Sequence, residues 1–350
     1  MMNDLAADLR RSPDLLPHSL DPLANAVYLA AMTPDAYREA SFLDQRILTQ
    51  GHRGKWLRWP DVAAAAADLP VGCGLIFHIG HVGSTLLSRL VGDCPGFFSL
   101  REPAALRTLA ELFADRSAPD CPWPADRIET ATDRLLALWS RVYAPGDRAI
   151  IKATSFASEL AADTLARHPQ MPALAMTLPA EAYLAVILAG DASRAEIRAM
   201  SRQRLRRLHA RLGDTPFRLY AMSEGEIVAM TWLTETMSLS AAGSRVRWLD
   251  FESMLADPAA ALGAVTAHFG RPAPPDTIAA VLAGGHMTRY SKSQDHGYSA
   301  DLRRDVMNEA RDRHADEIRK GLAWLDAAAR TFQMAAAAMA TAKGETADVP

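Results

Sequence analysis

The feature that most constrains the fold is an apolar run, a glycine-containing loop and a helix-forming segment in direct succession. The run Gly74–Ile79 holds apolar residues and one histidine, and glycines stand at both of its ends. Such a run predicts a strand that is buried on both faces of a parallel sheet. The loop Gly80–Thr85 follows, and a helix is predicted over Ser84–Val91. The sequence therefore predicts a strand, loop and helix unit.

The loop has the residue types of a phosphate-binding P-loop, and its candidate binding residues are Gly80, His81, Val82, Gly83, Ser84 and Thr85. Glycines let backbone amides approach an anion, the following helix directs its dipole at the charge, and hydroxyls can donate to phosphate oxygens. A plain strand-to-helix turn with glycine at positive φ is the other interpretation. An ATP-using loop has a lysine after its last glycine, whereas here Ser84 follows Gly83 directly.

Strand and helix patterns continue to alternate beyond this unit. Further strands are predicted at Gly96–Leu100, Ala149–Ile151, Ala173–Thr177 and Val246–Phe251, with helices between them. Ser223 and Glu226 have the spacing of a capping box, which marks a helix start. This alternation predicts an α/β fold: a P-loop three-layer fold with a mainly parallel sheet and helices on both faces.

The two ends of the chain differ from this pattern. Residues 1–70 are punctuated by prolines and predict an N-terminal helical elaboration of short helices and turns. Residues 71–333 are predicted to form the main domain, which ends in a long charged C-terminal helix over about Ser299–Gln333. The Ala-rich tail at 334–350 has little apolar patterning and is predicted to be frayed.

Composition narrows the partners. The 350 residues carry a formal net charge of −3 at pH 7, so no nucleic acid or anionic membrane partner is predicted. Apolar stretches such as Tyr183–Ala189 are far shorter than the roughly 20 residues that span a bilayer. Cys73, Cys94 and Cys121 do not have metal-binding spacing, and no metal is predicted. We expect a cytoplasmic protein with reduced thiols and no export signal.

The run from Ile76 to Arg89 resembles the donor-binding loop of P-loop sulfotransferases, especially bacterial relatives that contain Gly-Ser-Thr-Leu-Leu. Further similar segments follow in the family's order and extend the resemblance over about Leu75–Leu302: Leu100–Pro103, Ile150–Lys152, Leu249–Pro258 and Arg289–His296. The resemblance implies an enzyme that uses 3′-phosphoadenosine 5′-phosphosulfate as donor. The acceptor would be a hydroxyl or amine of a small molecule, glycan or peptide.

The resemblance also implies roles for single residues. Glu102 would be the base toward the acceptor hydroxyl, and Lys152 would be the catalytic cation at a strand end. Arg289 and Lys292 would belong to a basic segment that closes over the nucleotide. His81 stands where the family has lysine or arginine, so it is a third catalytic candidate. A neutral imidazole carries no charge, so its effect would depend on protonation.

The same residues have structural interpretations. Glu102 can be an acidic first-turn residue of the helix that begins at Pro103, where the helix dipole favours it. Lys152 can be a solvent-facing strand end. The arginine-rich stretch from Arg194 to Arg211 fits a solvated helix face, although it is also a candidate for binding a 3′-phosphate.

Thr177 and Ala185 replace the arginine and serine with which the family binds the donor's 3′-phosphate. We therefore expect either weak binding of the usual donor or compensation by basic residues elsewhere, for which Arg289, Lys292 and the stretch Arg194–Arg202 are the candidates. Two other functions stay open beside sulfonate transfer. One is a P-loop phosphotransferase of unusual sequence, and the other is a nucleotide-binding or interaction module without catalytic activity.

Overall fold

The computed structural model describes residues 2–213, 215–288 and 300–344. The strands are β1 Leu15–Asp21, β2 Ala26–Ala31, β3 Gly54–Arg58, β4 Gly74–His78, β5 Phe97–Arg101, β6 Arg148–Lys152, β7 Ala173–Thr177 and β8 Val246–Asp250. The helices are α1 Met2–Arg11, α2 Pro34–Glu39, α3 Trp59–Ala65, α4 Ser84–Asp93, α5 Ala104–Ala114, α6 Ala125–Trp139, α7 Ala161–Arg167, α8 Ala180–Ala189, α9 Asp191–Leu212, α10 Glu224–Ser240, α11 Phe251–Ala256, α12 Pro258–His268, α13 Pro275–Ala283, α14 Ala300–Arg313, α15 Ala315–Thr331 and α16 Gln333–Ala342. A 3-10 helix, Ser155–Leu160, follows β6.

The central sheet has five parallel strands in the order β5-β6-β4-β7-β8. All residues of β4 and β7 are buried, as expected for apolar runs that are covered on both faces. The prediction of an α/β fold with a mainly parallel sheet is confirmed. Since the strands are parallel, their carboxyl ends share one edge, and the loops that follow them meet there.

Helices cover both faces of this sheet. On one face, α4 packs on β4, β5 and β6 and contacts α12 and α13. On the other, the 3-10 helix after β6 packs on β4, and α5 and α10 pack on that helix. The predicted capping box opens α10, because Ser223 Oγ accepts from the Glu226 amide at 3.3 Å while the Glu226 carboxylate accepts from the Ser223 amide at 2.7 Å. None of the helices in the described ranges is both long and apolar enough to cross a membrane.

The prediction for residues 1–70 needs correction. Helices α1 to α3 are present, but β1, β2 and β3 form a three-stranded antiparallel sheet between them. β1 is an edge strand, and its register with β2 is irregular between Pro17 and Ser19. Proline has no amide to donate, so strands tolerate it at an edge or a bulge such as this one. The sheet packs on α5 and α6, and Trp139 Nε1 donates to the Pro17 carbonyl at 3.0 Å. Pro17, one of the prolines that suggested turns, therefore lies within a strand.

The C-terminal prediction also needs correction. The single long helix is divided into α14, α15 and α16, with breaks at His314 and Phe332. The tail that we predicted to be frayed begins with α16, which packs on α10 and buries Ala335 and Ala338. Alanine gives little apolar signal, yet its small side chain lets two helices pack closely, which is why the pattern did not reveal this contact.

Helices α10 and α15 approach each other at two glycines. A Cβ atom at Gly225 would overlap the backbone carbonyl of Glu317, and the backbone of Gly225 also lies against Gly321. The Gly225 amide donates to the Glu317 carboxylate at 2.7 Å. The close spacing of α10 and α15 therefore requires a residue without a side chain at position 225.

We expect Gly225→Ala to lower the free energy of unfolding by about 1–3 kcal/mol, because overpacking against a backbone atom forces the helices apart. The control is Gly263→Ala in α12, whose Cβ would lie 3.3 Å from the flexible end of Ile278. Alanine is a better helix former by up to about 1 kcal/mol, so this control should be neutral or mildly stabilising. Urea denaturation measures both, and equal stability of the two variants would contradict the prediction.

Candidate active site

The loop Gly80–Thr85 joins β4, the middle strand of the sheet, to α4. Gly80 and Gly83 have φ angles of 93° and 69°, a region that glycine adopts without strain. A Cβ atom at Gly83 would also overlap the Phe251 ring. Position 83 therefore requires glycine both for its backbone conformation and for the space that Phe251 occupies.

The first turn of α4 has the properties of an anion site. Gly83 precedes the helix and has no side chain that could cap it, so the first amides stay available. Ser84 and Thr85 are buried, and Thr85 Oγ1 has no hydrogen-bond partner within the described part of the chain. A buried hydroxyl without a partner costs free energy, and an anionic oxygen at this point would satisfy it. These residues fit the phosphosulfate end of a nucleotide donor.

A cavity of about 620 Å³ lies beside this loop at the carboxyl edge of the sheet. Open α/β sheets bind their ligands at this edge. His81, Glu102 and Lys152 all line the cavity together with the rest of the loop. The structure therefore brings the three residues that we predicted to be catalytic into one place, while their catalytic roles stay predictions.

Glu102 and Lys152 form an ion pair inside the cavity. Lys152 Nζ donates to Glu102 Oε1, and the Glu102 amide donates to the Lys152 carbonyl at 2.7 Å. The Lys152 side chain is 1% exposed and that of Glu102 is 18% exposed. Lys152 is thus not a solvent-facing strand end. Glu102 does not cap α5 either, because its carboxylate is turned to β6 and the helix begins at Ala104.

His78 is a site residue that the sequence analysis missed. Its Nδ1 accepts from the Gly80 amide at 3.0 Å, so Nε2 carries the proton and donates to the Ala153 carbonyl at 2.7 Å. His78 Nε2 also lies 3.8 Å from Glu102 Oε1. The histidine therefore ties the start of the loop to the end of β6. A polar residue at the end of an otherwise apolar strand was the signal for it.

His81, the loop residue in the place of a lysine, faces α9. Its Nε2 lies 3.3 Å from Glu196 Oε2, and its Nδ1 lies 3.4 Å from Ser193 Oγ. The Glu196 carboxylate offsets any positive charge that His81 carries. His81 is thus a weaker anion-binding group in this arrangement than a lysine would be.

The N-terminal segment supplies one wall of the cavity through Phe42, Asp44 and Arg46. The Arg46 guanidinium lies 3.6 Å from the centroid of the Phe42 ring, and its Nε donates to Asp44 at 2.8 Å. Burial alone would raise the pKa of Asp44, but hydrogen bonds from Arg46 hold that pKa below its usual value. This wall lies far from the loop in sequence, so no local pattern could reveal it.

Two buried arginines hold the N-terminal segment in place. Arg101 Nε donates to the Ala40 carbonyl at 2.7 Å, and Arg89 donates to Ser41 Oγ at 2.8 Å. Burial lowers the pKa of Arg101 to about 9. The Arg89 side chain is buried as well, and it also donates to the Arg38 and Glu39 carbonyls at the end of α2.

The opposite wall comes from α14, through Leu302, Val306 and Met307. Its Arg303 donates to both oxygens of Glu252, at 3.0 and 2.6 Å, and lies 5.3 Å from the Phe251 ring centroid. Since Phe251 covers Gly83, the contact holds α14 next to the loop.

Arg289 and Lys292, which we predicted to close over the nucleotide, lie outside the described residues. Thr177 and Ala185 are buried and carry no charge, so neither supplies a cation to a phosphate.

The arginine-rich stretch is not a solvated helix face along its whole length, which corrects that expectation. Arg194 and Arg198 pair with Glu224, at 3.4 and 3.1 Å, whereas Arg204 and Arg207 are buried. The sequence around these arginines does not show this burial, since the acidic partners lie on other helices.

No family model matches the sequence, and no curated protein matches it. Among solved structures, a sulfotransferase domain from the curacin biosynthetic pathway is 13% identical, with a TM-score of 0.38 over 73% of this chain and 97% of that chain. A sulfotransferase from Mycobacterium avium is 14% identical, with a TM-score of 0.37 over 71% and 79%. One from Mycobacterium tuberculosis is 15% identical, with a TM-score of 0.38 over 70% and 79%. The fold assignment rests on the strand order and connections of this chain.

Gly83→Ala should weaken the binding of inorganic pyrophosphate by roughly tenfold or more, because displacing the loop removes charge-assisted hydrogen bonds of about 1.5–3 kcal/mol each. The control is Gly146→Ala, since Gly146 also has a positive φ of 93° but open space around its Cβ position. Both variants carry a backbone cost of roughly 1–2 kcal/mol, and only the first should lose affinity. Calorimetry measures both variants, and equal pyrophosphate affinities would show that the loop is not part of the binding site.

Proposed function

We propose that this chain is a sulfotransferase-like enzyme that transfers a sulfonate from 3′-phosphoadenosine 5′-phosphosulfate to a hydroxyl or amine acceptor. The observation that carries the proposal is the union, in one cavity, of an anion-binding helix start and a buried acid–base pair. The unpartnered Thr85 hydroxyl supports the first part, and the contact between Lys152 and Glu102 supports the second. The acceptor is a small molecule, glycan or peptide.

The donor, when bound, supplies an activated sulfonate whose leaving group is the 5′-phosphate of the nucleotide. In the proposed reaction the acceptor oxygen forms a bond to sulfur while the bond from sulfur to the phosphate oxygen breaks. The acceptor proton passes to the Glu102 carboxylate. Such transfers depend on positioning and on charge stabilisation more than on covalent help from the protein.

Lys152 has two tasks in this scheme. In the structure its ammonium group donates to Glu102, which holds in place the carboxylate that would take the acceptor proton. Lys152 lines the same cavity as Ser84 and Thr85 at the helix start, so the same ammonium would stabilise negative charge on the leaving phosphate. Because Lys152 is buried, its charge is screened less by solvent than that of a surface lysine.

A P-loop phosphotransferase is the second candidate. It is favoured by the loop geometry, which suits any phosphate, and disfavoured by Ser84 in the place of the lysine that reaches the terminal phosphates of ATP. Calorimetric titration with 3′-phosphoadenosine 5′-phosphate, ATP and GTP separates the two. Preferential binding of ATP or GTP would overturn the sulfotransferase proposal.

A non-catalytic nucleotide-binding module is the third candidate. It is favoured by the pairing of cavity cations with carboxylates: Arg46 with Asp44 and Arg303 with Glu252. Such pairing leaves less charge for a transition state. Nucleotide binding without any sulfonate transfer, over a broad panel of hydroxyl and amine acceptors, would favour the module.

Glu102→Gln should reduce the sulfonate transfer rate by roughly 10²–10⁴-fold, because glutamine keeps the shape of the side chain and cannot accept the proton. Donor affinity should change little, since the helix start is untouched. The control is Glu129→Gln on α6, which does not line the cavity. Transfer rates from isotope-labelled donor measure the effect, and an unchanged rate would exclude Glu102 as the base.

The 3′-phosphate should be recognised by basic residues outside positions 177 and 185. We expect Arg289→Ala to reduce the preference for 3′-phosphoadenosine 5′-phosphate over its analogue without the 3′-phosphate by about tenfold to a hundredfold, the worth of one charge-assisted contact. Lys292→Ala tests the second candidate in the same titration. A strong preference that neither substitution changes would exclude both residues. No preference in the wild type would mean another donor.

A further inference from the structure

Behind the loop lies a buried set of charges that the proposed mechanism does not use. We define the arginine cluster as Arg204, Arg207 and Arg211 with Glu159 and Glu235. Arg204, Arg207 and Glu235 are at most 4% exposed. The cluster joins α9 to α10 and to the 3-10 helix after β6, and it contains three guanidinium groups but only two carboxylates.

The charged state of the cluster follows from its contacts. Glu235 accepts from Arg204 Nε at 2.8 Å and from Arg207 NH2 at 3.0 Å. Burial alone would raise the pKa of Glu235, but the two arginines hold it below its usual value. Glu159 accepts from Arg207 at 2.7 Å and from Arg211 at 2.9 Å. With both carboxylates ionised, the cluster carries a net positive charge.

The Arg204 guanidinium is the part of the cluster with incomplete hydrogen bonding. Its NH1 group is buried and has no partner among the described residues, and its NH2 group makes a long contact of 3.5 Å to Ser155 Oγ. A guanidinium can only donate, so Ser155 Oγ must accept. The hydroxyl proton of Ser155 is then directed away from Arg204.

Ser155 lies between Arg204 and the cavity. It lines the cavity, and it faces the loop so closely that a Cβ atom at Gly80 would lie 3.6 Å from Ser155 Cβ and 3.8 Å from its Oγ. A hydroxyl in this position can donate to an anion held by the loop. Because its oxygen already accepts from a cation, the hydroxyl is a stronger donor than an isolated serine.

We propose that Ser155 is an anion-binding residue of the cavity and that Arg204 is the positioning residue that directs its proton toward the bound anion. This inference rests on the proposed function in one respect: the anion is the phosphosulfate end of the donor. The loop has His81 and Ser84 where P-loops have a lysine, so it attracts an anion weakly. The net positive charge of the arginine cluster, acting through Ser155, supplies part of that attraction. The ligand class is a diphosphate or phosphosulfate group.

The test is a double-mutant cycle of Ser155→Ala and Arg204→Lys, read by calorimetry with inorganic pyrophosphate and with 3′-phosphoadenosine 5′-phosphate. Ser155→Ala should weaken pyrophosphate binding by about tenfold, the effect of one hydrogen bond to a charged group. Arg204→Lys keeps the charge but cannot hold both Glu235 and Ser155. It should weaken binding in the wild type and have little further effect in Ser155→Ala.

Arg206→Lys is the matched control, because Arg206 is on the same helix and pairs with Asp115 at the surface. It should leave affinity unchanged. If Arg204 has only a structural role, Arg204→Lys will lower the melting temperature and change affinity equally in both backgrounds, which would overturn the inference. Ser155→Ala is a small change that keeps the test valid if Arg204→Lys fails to fold.

The two probes separate this inference from the proposed function. Pyrophosphate binding that depends on Ser155, without binding of 3′-phosphoadenosine 5′-phosphate, would contradict the sulfotransferase proposal and support the anion site. Binding of either probe that is unchanged in Ser155→Ala would overturn the inference alone. A wild-type protein that binds neither probe would overturn both.

Discussion

The site depends on the position of β4 between two parallel partners. β4 pairs with β6 on one side and with β7 on the other, so the loop after β4 opens between the ends of both strands. The pairing sets Ile76 opposite Lys152 and His78 opposite Met176. Backbone hydrogen bonds thus bring the start of α4 and the lysine to one edge of the sheet, the edge at which open α/β sheets bind their ligands.

Each lysine or arginine that lines the cavity in the described part of the chain pairs with a nearby carboxylate. Lys152 faces Glu102, Arg46 faces Asp44, and Arg303 faces Glu252. The Lys152–Glu102 pair is buried and stabilises little by itself, because the cost of removing two charges from water offsets most of their attraction. The other two pairs are more exposed, and exposed pairs contribute at most about 1 kcal/mol. What the pairs provide is fixed geometry. An anion in this cavity would therefore gain its affinity from oriented amides and hydroxyls and from charges that are not fully matched, as in the arginine cluster.

The features predicted well from the sequence were those with a local signal. The buried strand β4, the loop glycines and the capping box at Ser223 are each defined within a few residues. Glu102 and Lys152 were chosen as candidates because the segments Leu100–Pro103 and Ile150–Lys152, at the ends of predicted strands, resemble segments of the sulfotransferase family. The N-terminal sheet was missed because Pro17 lies in an edge strand, where a proline is tolerated. The cavity wall at residues 42–46 follows α2, and the adjoining Ser41 and Ala40 are held by Arg89 and Arg101 across 48 and 61 positions, which no local pattern encodes.

The buried charges were missed for a related reason. An arginine on α9 looks the same in sequence whether its partner is water or Glu235. Arg204 and Glu235 lie 31 positions apart, so no local pattern links them. Arginine-rich helices are usually solvated, so the prediction followed the more common case. Only the burial of Glu235, within a helix that is buried along most of its length, distinguishes the two cases. A glutamate inside an apolar helical segment was the available signal.

Glu102 also carries a backbone feature that bears on its role. Its φ angle is 54°, a region that residues other than glycine seldom adopt, so this conformation is held by its surroundings. The Glu102 amide donates to Lys152 and the carboxylate accepts from the same residue, so two contacts to β6 keep the strained backbone in place. Backbone strain of this kind persists only where several contacts hold the same conformation, and such residues cluster at functional sites. A residue that only capped α5 would have no need of it.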